Sequence, residues 1–411
     1  MEAFEYQDDT LCCEGVRLGD VARQFETPTF VYSQAKLEEN YRAFDDALAE
    51  IPHLICYSLK ANSSLAIGRL LAGLGAGADI VSGGELFKAL KMGMDPKKIV
   101  YASVGKTQAE IEYALKAQIL MFNVESRAEL EAIDRIAGRI GAKAGIALRV
   151  NPDIDANTHP YITTGMLKYK FGIPPDEALE LYRVAREMPN LESRGIQMHI
   201  GSQLLTVQPI IEAATKLLSV FWQLREEGIE LSYIDIGGGL GITYKDETPQ
   251  GPEFLAKEIL PMVRETGCTL LIEPGRFIAG NAGALLTSVL YVKTNPKKKF
   301  VIIDAAMNDL VRPSLYDAYH PILAVTPTEG RETVDVVGPV CESGDFMAHE
   351  REIACVEAGD LLAIKCAGAY GFSMSSNYNA RTRAAEVLVK GDQCRLVRRR
   401  ETYEDLVRGE E

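Results

Sequence analysis

A chain of 411 residues exceeds one ordinary compact core and predicts two or three domains. Its 25% charged and 47% hydrophobic residues are globular proportions that exclude disorder, and no apolar run nears the roughly 18 residues of a bilayer helix, so no membrane partner is expected. With 44 basic against 58 acidic residues the formal net charge is -14, which repels a phosphate backbone, so nucleic acid is not an expected partner either.

The opening residues carry Glu2, Glu5, Asp8 and Asp9 without the basic-then-apolar order of a secretory signal, which predicts a cytoplasmic protein. In that setting the eight cysteines read as reduced thiols. The adjacent Cys12 and Cys13 have no second pair at ligand spacing, so no metal is expected. Leu11 to Leu18 reads as a strand. From about residue 50 to 276, short β-branched or apolar runs alternate with helical stretches. The runs are 53–60, 78–81, 99–103, 119–125, 144–151, 195–202, 231–239 and 269–276. Eight of them predict a closed (β/α)8 barrel over residues 30–277, with a doubly wound open sheet as the competing layout. Ser126 with Glu129 marks a helix start, Gly93 and Gly141 mark helix ends, and residues 152–175 form a turn-rich insertion after the fifth run.

Past residue 280 the long helices stop. Runs at 285–294, 299–307, 332–338, 360–370 and 383–391 predict a mostly antiparallel β domain of sandwich or Greek-key type. It comprises residues 1–29 and 278–411, with the N-terminal strand joining it.

In a barrel of this kind catalytic groups lie at the C-terminal strand ends. The polar residues that close the runs are Lys60, then Asp79 and Ser82, Ser103, Glu125, Asn151, His199 and Ser202, Gly237 to Gly239, and Glu273 with Arg276. Most lysines are solvated surface residues, but Lys60 closes an apolar run among this company, in a partly desolvated place that suits a Schiff base. The glycines of DIGGGLG let backbone N–H groups approach an anion, although many such turns are only turns. A lone histidine such as His199 is more often a satisfied core residue, and Gly201 and Ser202 beside it tilt the reading towards function. Glu273 ends a strongly apolar run where an unpaired charge is costly, so it needs a cation, either Arg276 or a pyridine nitrogen held protonated. Cys341, in a turn-rich stretch beside acidic residues, reads alone as a structural thiol.

Six segments in order, YSLKAN, MHIGSQ, DIGGGLG, IEPGRF, VGPVCESGDF and GAYGFSMSSNYN, resemble the fold-type III pyridoxal-phosphate decarboxylases, the group acting on ornithine, diaminopimelate and arginine. The resemblance implies pyridoxal 5'-phosphate carried on Lys60 and stacked under His199. It places Ser202, Gly238, Gly239 and the backbone of Gly275 and Arg276 at the phosphate, and Glu273 at the ring nitrogen. It also implies Asp79 and Tyr370 as further cofactor contacts. It also implies that Cys341 returns a proton to the α carbon in the other subunit's active site, which requires a homodimer with shared sites.

For the substrate, Arg312 with Arg276 would clamp a distal carboxylate and Glu342 would accept a distal ammonium, with Tyr316 and Tyr370 alongside. This favours meso-2,6-diaminopimelate, converted to L-lysine and carbon dioxide. Asp317 resembles the acid that ornithine decarboxylases use for the distal amine, so ornithine, arginine and carboxynorspermidine are the alternatives. A non-catalytic regulatory homologue should lack Lys60 or Cys341, and both are present; a racemase of this scaffold carries an arginine where Glu273 stands.

Overall fold

The computed structural model describes residues 2–155 and 164–411. The chain divides into two units, one of residues 41–242 with 248–277 and one of residues 1–40 with 243–247 and 278–411.

In the first unit the strands His53–Ser58, Gly77–Ile80, Ile99–Tyr101, Met121–Val124, Ala144–Arg149, Leu191–Gln197, Tyr233–Asp235 and Thr269–Ile272 form a closed barrel. Every pairing is parallel, and Leu270 opposite His53 closes the ring. Strands covered on both faces read as near-continuous apolar runs, which is why all eight were recognisable. Each ends before its run does, because the polar and glycine residues that follow leave the ladder at the rim. Lys60, His199 and Glu273 therefore sit one or two residues past a strand.

The helices start and stop where side-chain chemistry sets them. Ser126 Oγ accepts the N–H of Glu129 at 3.2 Å, the helix Arg127–Ile140 buries Leu130, Ile133 and Ile136, and Gly141 ends it in the left-handed region. Ser82 caps the helix Gly83–Met92 in the same way, ending at Gly93. Of the insertion at 152–175, residues 156–163 lie outside the described residues.

The second unit is built on a sheet in the order Phe346–Ala354, Arg331–Val337, Lys299–Ile303, Gly283–Thr294, Thr29–Ser33, Ala385–Lys390, Gln393–Arg398, with Leu361–Ile364 also paired to the long strand Gly283–Thr294. Most pairings are antiparallel and two are parallel. One expectation needs correction. The strand Thr29–Ser33 lies in the middle of this sheet, so the barrel does not begin at residue 30. The N-terminal strands Phe4–Gln7, Thr10–Cys13 and Val16–Arg17 make their own antiparallel sheet. They join the unit by burying Phe4, Leu11, Cys13 and Leu18 against Val31, Leu286 and Val387, and by the Leu11 N–H on Val325 O at 2.7 Å. Phe346–Ala354 escaped the sequence reading because His349, Glu350 and Arg351 interrupt its apolar alternation.

All eight cysteines are free thiols. Among the described residues no helix is long and apolar enough to cross a membrane, and no group of three or more His, Cys, Asp or Glu is placed to hold a metal ion.

Candidate active site

Buried carboxyl groups of the barrel include Asp79 on the second strand, Asp235 on the seventh and Glu273 after the eighth. Neutral amides meet Glu273: Asn123 Nδ2 donates to Oε1 at 3.1 Å and Gln197 Nε2 to Oε2 at 3.4 Å. Burial pushes Glu273 well above the usual carboxylate range, and the charges of Asp235 and Asp79 add to the effect. Burial also pushes Asp235 up, to about 7.

Lys60 is the nearby cation. Its Nζ donates to Asp79 Oδ2 at 2.5 Å, and its side chain is 35% exposed, so the amine is held at the barrel interior yet open to the mouth. Ser58 Oγ lies 2.7 Å from the same Asp79 oxygen and 2.9 Å from Glu273 O, tying the first, second and eighth strand ends together. Three buried polar atoms in this ring, Asp79 Oδ1, Asn123 Oδ1 and Gln197 Oε1, have no hydrogen-bond partner among the described residues. Such orphans are rare in a finished core and mark a place built to receive a polar group.

His199 follows the sixth strand and is half-buried. The N–H of Gly238 points at its Nδ1 at 3.3 Å, so that nitrogen accepts and the proton resides on Nε2. Burial, with the charges of Arg149 and Lys60, holds the imidazole well below its ordinary pKa, so it is neutral. The glycine turn itself tolerates no side chain: a Cβ on Gly238 would lie 2.2 Å from Glu273 O, and one on Gly239, at φ +122°, 2.7 Å from Gly201 O. A Cβ on Gly275 would meet Ser58 Cβ at 2.9 Å. Arg276 is buried, and its Nε and Nη2 each reach Ser202 Oγ at 3.1 Å.

Thus Lys60, Asp79, His199, Ser202, Gly238, Gly239, Glu273, Gly275 and Arg276 all belong to the barrel unit. The other candidates belong to the second unit. There Cys341 is exposed with Sγ donating to Asn379 Oδ1 at 3.3 Å, and Glu342 beside it accepts the Tyr378 hydroxyl at 2.6 Å. Arg312 is buried, 4.9 Å over the ring of Tyr244, and its Nη1 lies 2.9 Å from His320 Nε2. Because His320 Nδ1 faces the carbonyl of Lys365 at 2.9 Å, it carries the ring proton and Nε2 accepts from Arg312. Tyr316 ends the short helix Arg312–Tyr316, and Tyr370 has a left-handed backbone, φ 57°.

The sequence reading did not single out Ser58, Asn123, Gln197, Arg149 or Asp235 as site residues. Arg149 pairs with Glu125 at 2.8 Å and donates to the carbonyl of His199 at 3.1 Å, so it fixes the backbone that carries the imidazole. Lys106, fully buried, pairs with Glu129 at 2.5 Å and donates to the carbonyl of Asn123 at 2.8 Å. A polar residue inside an otherwise apolar strand was the available signal.

A family model described as the pyridoxal-dependent decarboxylase, pyridoxal binding domain, matches residues 34–280. The chain is 51% identical over 415 residues to a diaminopimelate decarboxylase of Pseudomonas aeruginosa, covering 100% of this chain and 99% of that one. It is 50% identical over 409 residues to that of Vibrio cholerae, covering 99% and 98%. Among solved structures, the diaminopimelate decarboxylase of Helicobacter pylori complexed with L-lysine matches with a TM-score of 0.93 at 45% identity, covering 95% of this chain and 98% of that one.

Proposed function

The chain belongs to the pyridoxal-dependent decarboxylase family, and from that premise we propose that it converts meso-2,6-diaminopimelate to L-lysine and carbon dioxide. The cofactor is pyridoxal 5'-phosphate, which when bound supplies an electron sink conjugated with the substrate's α carbon.

The observation that carries the reading is Glu273, a buried carboxylate braced by Asn123 and Gln197 that needs a cation, as a protonated ring nitrogen would be. Lys60 is the covalent carrier, its amine oriented by Asp79. The neutral imidazole of His199 covers the ring face, where a cation would oppose the ring's positive charge. Ser202, the backbone of Gly238, Gly239 and Gly275, and Arg276 hold the phosphate, and Tyr370 adds a contact. Cys341 delivers the proton that replaces carbon dioxide at the α carbon, and solvent restores the thiol. We read Cys341, exposed on its loop, as serving the partner protomer's site, which makes the enzyme a homodimer with shared active sites. Arg312 and Arg276 take the distal carboxylate, Glu342 the distal ammonium, and Tyr316 and Tyr370 flank it. The cytoplasm is the proposed compartment.

The test is carbon dioxide release by cofactor-loaded enzyme from meso-diaminopimelate, ornithine, arginine and carboxynorspermidine. A site built to pair a distal carboxylate should favour diaminopimelate in kcat/KM by more than about 100-fold. Equal or faster turnover of any of the others would overturn the assignment.

A further inference from the structure

The barrel holds more acid than one ring nitrogen needs. Asp235 is wholly buried; its Oδ1 accepts the N–H of Gly237 at 2.9 Å and its Oδ2 the side-chain amide of Asn123 at 3.4 Å. That same Asn123 amide donates to Glu273 Oε1 at 3.1 Å, so two carboxyl groups from the seventh and eighth strand ends converge on one NH2. Around them the titratable neighbours are Asp79, the Cys56 thiol, which burial pushes well up, and Lys60, whose amine is engaged by Asp79. Neighbouring carboxyl groups in a dry site cannot both ionise without large cost, and the usual resolution is one shared proton.

We propose that Asp235 is the proton partner of Glu273: the pair holds one proton, which resides on Glu273 when no cation is present and moves to Asp235 when a protonated ring nitrogen lies against Glu273. This rests on the reading of Glu273 as the ring-nitrogen partner. In the transfer one O–H bond breaks on Glu273 and one forms on Asp235, so the pair keeps a single negative charge and no proton leaves it. The raised pKa of both groups is consistent with such a pair. Asp235 is then a positioning residue. It never touches the reacting atoms, but it lets Glu273 meet the ring as a carboxylate without solvent taking up its proton.

Asp235→Asn preserves size and one acceptor oxygen but cannot store the proton. When cofactor-free protein is titrated with pyridoxal 5'-phosphate, this variant should release about one proton more per site than wild type. Below the pKa of Glu273 its affinity should rise about tenfold per pH unit relative to wild type. Equal proton release and parallel pH profiles would overturn the proposal. Infrared spectra of holoenzyme with carboxyl-labelled aspartate should contain a protonated aspartic acid C=O stretch that is missing from Asp235→Asn, and identical spectra of the two would also overturn it. Glu273→Gln separates the two layers. Unchanged cofactor affinity and visible absorbance in that variant would remove the Glu273 reading itself. Lost affinity there, alongside wild-type behaviour of Asp235→Asn, would remove only the proton sharing.

Discussion

The barrel and the second unit hold their reactive groups by opposite means. In the barrel, Asp79, Asp235 and Glu273 are buried: amides from other strands meet Asp235 and Glu273, the Gly237 N–H meets Asp235, and Ser58 and Lys60 meet Asp79. In the second unit, Cys341 and Glu342 lie on an exposed loop, and their side chains meet Asn379 and Tyr378. Preorganised buried groups bind and polarise, and their loss unsettles the fold around them. Exposed loop groups can be removed with the scaffold intact, so substitutions there should affect turnover alone.

The sharpest test of that contrast is Lys60→Ala, which should abolish the cofactor's visible absorbance and lower activity by more than about 1,000-fold. Next is Cys341→Ala. Removing a proton donor should lower kcat by about 100- to 1,000-fold while melting temperature and cofactor affinity stay at wild-type values. A marked loss of stability in that variant would break the comparison. On the barrel side, Lys106→Met leaves Glu129 buried without its cation and should cost about 3–5 kcal/mol in denaturant unfolding.

Arg312 tests the second unit from within, since it is buried although Cys341 is not. Arg312→Leu should reduce kcat/KM for diaminopimelate by about 10- to 100-fold, the worth of a charged hydrogen bond, and reduce it far less for ornithine. The smallest effect concerns pH. Asp309 is a buried acid of the second unit that burial pushes up to about 7. Its folded pKa exceeds the unfolded value of about 3.9, so its contribution is fully present below about pH 4 and is lost as pH rises through about 7. Asp309→Asn should therefore melt a few degrees above wild type at about pH 8, with the gap closing below about pH 4.

Residues in the barrel were legible because the fold repeats. A run buried on both faces ends where its first polar or glycine residue appears, and that place is the rim where Lys60, His199 and Glu273 stand. The second unit has no such period. Phe346–Ala354 and Gln393–Arg398 carry charged residues that interrupt an apolar alternation, and Thr29–Ser33 fell across the boundary set at residue 30 because it was not read as a strand. Cys341 and Tyr370 were found through their motifs alone, since an isolated loop cysteine or tyrosine carries no periodic signal.

By itself, the sequence determined the eight-stranded barrel, the lysine that closes its first run, the carboxylate at the eighth strand end and the family to which the chain belongs, because these depend on local pattern and contiguous motifs. Only the tertiary structure decided the company that Glu273 keeps. Asn123, 150 residues earlier in the chain, and Gln197, 76 residues earlier, reach it because closure of the barrel directs side chains of separate strands into one interior. Along a strand a polar side chain reads the same whether it points inward or outward, so neither the brace around Glu273 nor the approach of Asp235 was visible before the ring closed.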